Sequence, residues 1–131
     1  MYRLSALNQY QNVDLESRIA TASPHMLISM LLDGALKKIA LAKGAANRGD
    51  IAQRGMCISS AINIVDGLRS SLDLKVGGEI ASNLEELYSY MERRLAEANR
   101  KSDQDIMTEV GELLYEIKTG WDNMPVASRR M

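Results

Sequence analysis

Two glycines, Gly77 and Gly78, stand directly ahead of a run with helical spacing in "KVGGEIASNLEELYSYM". Unpaired backbone N–H groups at a helix N-terminus attract anions, so such a pair could cradle a phosphate. A nucleotide loop needs more: a strand, then Gly-x-x-x-x-Gly-Lys-Ser/Thr, then the helix. No strand pattern precedes Gly77, the motif is absent, and Glu79 stands where the phosphate charge would sit. The pair reads instead as a corner, with one helix ending near 72–74, a glycine supplying positive φ, and the next helix beginning.

The other groups that could do chemistry are few. His25 is the only histidine and follows Pro24. A metal site in a helical bundle needs Glu and His at i, i+3 on facing helices, and that spacing is missing. No Ser–His–Asp or Cys–His arrangement can be built without the same histidine, which reads as an exposed helix-start residue. Cys57 is the only cysteine, so no intrachain disulfide forms, and it reads as a small buried hydrophobe. Glu85, Glu86, Glu92 and Glu97 follow the polar side of their helix, and Asp33 with Lys37 is an i, i+4 pair. The arginine doublets 93–94 and 129–130 are isolated, and a net charge of −1 gives no footprint for nucleic acid. The inventory points away from an enzyme and calls for no cofactor and no metal.

Apolar periodicity supplies four long helices. Ser23 is a natural N-cap with Pro24 at the first helical position, and Ile28, Leu32, Ala35, Ile39, Ala42 and Ala46 recur with helical spacing to a stop at Gly49. A second helix runs from about Asp50 to Leu72 on Ile51, Ile58, Ile62, Val65 and Leu72. A third follows the glycines on Ile80, Leu84, Leu87, Met91, Leu95 and Ala98. Ser102 is the expected cap of a fourth, which carries Ile106, Val110, Leu113, Ile117 and Trp121 and stops near Pro125. Nothing alternates with period two, and the linkers are short enough to make consecutive helices antiparallel. The expected fold is all-α: an antiparallel four-helix bundle over 23–124, a short N-terminal helical cap over 1–22, and a disordered tail over 125–131. The start "MYRLSALNQY" has no signal-peptide pattern and no apolar run is long enough to cross a bilayer, so a cytoplasmic protein is expected.

What the chain has in excess is apolar surface. Beside the main stripe of the first helix runs a second, Leu27, Leu31, Gly34 and Leu41, and the second helix carries Cys57, Ala61, Ile64 and Leu68 in the same way. A bundle helix needs about three apolar positions in seven, and these exceed it. Two explanations fit: central helices with more neighbours, or a groove for an amphipathic partner helix. The groove would be formed by Leu31, Ile64 and Leu68 with Tyr90 at its rim, and Tyr115 adds an exposed aromatic.

Taken together, "YQNV…TASPHMLISMLLDGAL", "AINIVDGL…LDLKVGGEIASNLEELYSYM" and "AEAN…EVGELL…W" resemble the FliS family of bacterial flagellar export chaperones for flagellin. The resemblance runs from Tyr10 to Trp121, and Leu32 departs from it where the family commonly has an aromatic before Asp-Gly-Ala. It implies a helical bundle with a mobile N-terminal cap that includes Leu7 and Tyr10. It implies a client, the C-terminal helical segment of flagellin, masked against premature polymerisation and delivered to the export gate of the flagellar type III apparatus. Leu4, Leu7 and Tyr10 would then cover the groove until flagellin displaces them. Whether the flagellar anti-sigma factor shares the groove is left open by the sequence. The alternative is another helix-binding adaptor, or a self-associating bundle, without catalytic activity.

Overall fold

The structure is a computed structural model that describes residues 23–125. Within them lie four helices: α1 (Pro24–Arg48), α2 (Ile51–Ser70), α3 (Leu74–Lys101) and α4 (Gln104–Asp122). The expected cap over 1–22 and tail beyond Pro125 lie outside the described residues.

Each helix starts on a side-chain oxygen that satisfies N–H groups otherwise left over in a first turn. Ser23 Oγ accepts from the Met26 amide, Asp50 from Gln53, Asp73 from Lys75 and Val76, and Asp103 from Asp105 and Ile106. Gly49 ends α1 in the left-handed region at φ 72°, and the Asp50 amide reaches back to the Ala45 carbonyl at 2.9 Å. Ser102 is not the cap of α4. It closes α3 at φ 53° and ψ 41°, and Asp103 takes the capping role, because two helices meeting within two residues need one left-handed residue and one acceptor.

The helices pack in a ring, α1 on α2, α2 on α3, α3 on α4 and α4 on α1. Neighbours are antiparallel. Ser29, near the start of α1, donates to Asp122 at the end of α4 at 2.7 Å, and Arg54 at the start of α2 donates to Asn99 near the end of α3 at 3.2 Å. Tyr90 and Arg94 on α3 both donate to Glu109 on α4, at 3.0 and 3.1 Å. Asp33 pairs with Lys118 across the α1–α4 seam at 3.7 Å, where the sequence suggested Lys37. Glu92 and Glu97 are likewise engaged, by Arg69 and by Arg94 with Lys101.

The core is contributed by all four helices, with Leu32 and Ile39, Ile58 and Val65, Met91 and Leu95, Met107, Val110 and Leu114 closed to solvent. The second stripe of α2 belongs largely to this packing, with Cys57, Ala61 and Leu68 buried. That of α1 is only half covered: Leu27, Leu31 and Gly34 are half-buried, and a methyl group at Gly34 would stand 3.5 Å from Ile64 Cδ1. Small side chains such as Ala35, Ala42 and Ala61 let the two backbones approach, and that approach consumes part of the surplus. Leu41 stays exposed, as does Ile51, which sits in the first turn of α2 beyond its neighbours' reach. Of the pair 113–114 on α4, Leu114 is fully buried and Leu113 half-buried.

The glycine corner differs in one respect from expectation. Asp73 starts α3 ahead of the pair, and one turn forms before Gly78 breaks the helix at φ 53° and ψ −129°. No residue with a Cβ rests there without strain, so Gly78→Ala is expected to cost about 1–3 kcal/mol. Gly67→Ala, in a regular part of α2 where a new methyl meets nothing within 4 Å, should instead gain about 0.4–1 kcal/mol. Urea unfolding of the two variants beside the parent checks both signs.

Candidate functional site

The start of α1, the end of α2, the start of α3 and the end of α4 gather at one end of the bundle. Between them lies a cavity of about 270 Å³. Leu32, Leu68 and Tyr88, all buried, line its inner part. Ile28, Leu84 and Ile117, half-buried, continue the lining outward, and Ile80, 62% exposed, carries it to the surface. It exceeds the ~150 Å³ of an apolar cavity able to admit benzene. The break at Gly78 explains why this end is open. The first turn of α3 leaves the line of the helix, so Leu74 and Val76 are exposed and do not fill the space below.

Trp121 forms one wall. Its indole N–H donates to the His25 carbonyl at 2.9 Å, and the two rings stack with centroids 4.6 Å apart and planes 14° from parallel. His25 is therefore a partly buried packing residue, not the exposed helix-start residue suggested by its place after Pro24. Nearby, Ser29 and Lys118 both donate to Asp122, which holds its carboxyl below the usual carboxylate range, and the Lys118 ammonium is held up by the same contact. These bonds tie α4 to α1 beside the cavity. Burial pushes the Tyr88 phenol up to about 12, so it remains a neutral hydroxyl.

The groups with chemical potential are spent elsewhere. The amides of Lys75 and Val76 donate to the Asp73 carboxylate and that of Gly77 to the Asp73 carbonyl, so the N–H groups ahead of Gly78 are not offered to a phosphate. Cys57 is buried and accepts from Gln53 at 3.5 Å. Among the described residues no cluster of His, Cys, Asp or Glu could hold a metal ion, and no helix is long and apolar enough to cross a membrane.

The residues singled out from sequence do not form one patch. Leu68 lines the cavity but is only 1% exposed. Leu31 and Ile64 are half-buried in the α1–α2 region and are not part of the cavity lining. Tyr90 is half-buried and tethered to Glu109. Leu7 and Tyr10 lie outside the described residues. Sequence reasoning missed Leu84, Ile117 and Trp121 as cavity residues because each falls on an apolar stripe and was assigned wholly to core, and it missed Tyr88, which it placed on no stripe. The available signal was the glycine corner, which marks where such a stripe stops being covered.

Comparison with known proteins gives consistent results. The family described as flagellar protein FliS matches residues 6–128. The chain is 46% identical over 124 residues to flagellar secretion chaperone FliSB of Pseudomonas aeruginosa, spanning 95% of this chain and 98% of that protein. It is 45% identical over 130 residues to flagellar secretion chaperone FliS of Salmonella typhimurium, spanning 98% and 96%. Identity to flagellar secretion chaperone FliS of Bacillus subtilis is 30% over 115 residues, spanning 88% and 85%.

Trp121 is the only tryptophan, so emission from the whole chain reports on the cavity wall. An apolar dye such as anilinonaphthalene sulfonate should change Trp121 emission on entering the cavity. Gly120 also lines the cavity, and a Cβ there meets nothing within 4 Å, so Gly120→Leu should fill the space and suppress the change. An identical response from both proteins would mean that the dye binds elsewhere.

Proposed function

The chain belongs to the FliS family of flagellar secretion chaperones, and from that premise we propose that it binds the C-terminal helical segment of flagellin. Binding occurs in the cytosol, keeps the segment from polymerising, and presents it to the export gate of the flagellar type III apparatus. The protein works by binding alone, with no catalytic step and no cofactor. The observation that carries this reading is the apolar cavity at the open end of the bundle, continued outward by exposed Ile80. A surface of this kind stabilises a partner through burial, on the order of 25 cal/mol per Å². That gain must offset roughly 2–5 kcal/mol or more for ordering a disordered client.

The client's anchor is placed in the cavity, where Leu68 contributes to the lining. Tyr90 stands on the α3–α4 face as a second contact, while Leu31 and Ile64 offer only the edges of their seam. The segment 1–22 enters α1 at Ser23, beside the cavity, which supports Leu4, Leu7 and Tyr10 as a cover that flagellin displaces. A second amphipathic partner, such as the flagellar anti-sigma factor, would have to compete for the same surface.

Calorimetric titration with a peptide from the C-terminal segment of flagellin, beside one from its N-terminal end, tests the reading. Saturable binding of the C-terminal peptide alone, with a negative heat-capacity change, is expected. Absence of binding by either peptide would refute it. The cover is tested separately by hydrogen exchange: amides of residues 4–10 should lose protection when the peptide binds, and equal protection in both states would show that the segment is not displaced.

A further inference from the structure

We propose that the first turn of α3 is a lid for the cavity. In the structure it is turned away. In its second position Gly78 adopts helical values, α3 runs straight from its Asp73 cap, and Leu74 closes the mouth. The inference concerns access to the cavity and does not depend on what enters it.

The inward face of α3 follows alternating steps of three and four residues through Ala81, Leu84, Tyr88, Met91, Leu95 and Ala98. Continued backwards, the same steps reach Gly77 and then Leu74. The pattern therefore assigns Leu74 to the inward face, one turn beyond the part of α3 from which Leu84 and Tyr88 line the cavity. In the structure Leu74 is 51% exposed and stands outside the lining, because the break at Gly78 separates it from the rest of its stripe.

The bundle has room for the straight form. Glu109 on α4 lies beside Tyr90 and Arg94 of α3, and Asp122 lies beside Ser29 of α1. Counted from those contacts at about 1.5 Å per residue, Asp122 and Ser29 come level with Glu79 of α3, and Pro24 with Leu74. A straight first turn of α3 would thus run level with the first turn of α1, not past it. Ser71 and Leu72 before the turn and Ile80 after it all line the cavity, so the turn is attached to the cavity's edge on both sides.

Gly78 serves as the hinge. Without a Cβ it takes either φ 53° and ψ −129° or helical values, and a Cβ built there meets nothing within 4 Å, so packing at this position does not hold the broken form. The turn carries its own hydrogen bonds, from the Lys75 and Val76 amides to the Asp73 carboxylate and from the Gly77 amide to the Asp73 carbonyl, and these travel with it. Closing buries a leucine and costs the conformational freedom of two glycines. The two effects oppose one another and are of the same order, which leaves both positions populated.

The test reads entry of anilinonaphthalene sulfonate through Trp121 emission in the full chain, for the parent, Gly78→Ala, Leu74→Ser and the double variant. Alanine disfavours the broken backbone and favours a helix over glycine, so Gly78→Ala should shift the lid toward closure and weaken dye affinity about 5-fold or more. Leu74 is exposed in the open form, so Leu74→Ser leaves that form intact and removes what holds the lid shut. For a lid closed about half the time, affinity should tighten about 2-fold. The double variant should recover what Gly78→Ala loses. Equal dye affinity for the parent and Gly78→Ala would overturn the lid. A loss that persists in the double variant would show that alanine alters the cavity without Leu74, and the proposal falls as well. Should Gly78→Ala not fold, Leu74→Ser decides alone: tighter dye binding than the parent supports the lid, and unchanged or weaker binding overturns it.

Discussion

A backbone at φ 53° and ψ −129° is closed to residues with a Cβ, and at Gly78 it divides a helix of 28 residues into one turn and a long remainder. The remainder carries Tyr88, Met91 and Leu95 into the core. Had the helix continued straight through 78, the apolar residues of its first turn would have extended over the end of the bundle. The turn departs instead, and Asp73 anchors it by taking the amides of residues 75 and 76. One glycine thus separates a sealed core from an open, apolar end.

Polar chemistry throughout the described residues is directed inward, to holding helices together. Carboxylates cap three of the four helices, and Asp122, Glu109 and Glu92 join neighbouring helices. Since most of these pairs are partly exposed, each contributes little on its own, and their main effect is to fix how the helices line up. The stability of the bundle rests on its interior, where large side chains from all four helices meet. What the open end presents is shape and apolar area.

Much of the fold was legible in the sequence, and the reasons are local. Ser23 with Pro24, Gly49, and the stripes through Ile39, Ile58, Met91 and Val110 depend on neighbours within a turn or two. Ser102 and Asp103 could not be separated by such reasoning, since both are good caps and the choice depends on where the preceding helix must turn left-handed. The surplus stripes were visible but their use was not. Periodicity shows which faces are apolar, whereas the alanines of α1 determine how closely α2 approaches and so how much of each face is left.

The described bundle begins at Ser23 and ends at Pro125 on the same side, and that side is the one with the cavity. The turns at 49–50 and 102–103 lie at the opposite pole, where a reporter domain or a new pair of chain ends made by circular permutation would stand about the length of a helix away, roughly 30 Å for 20 residues. Labels or surface attachments placed at those turns therefore stand clear of the cavity.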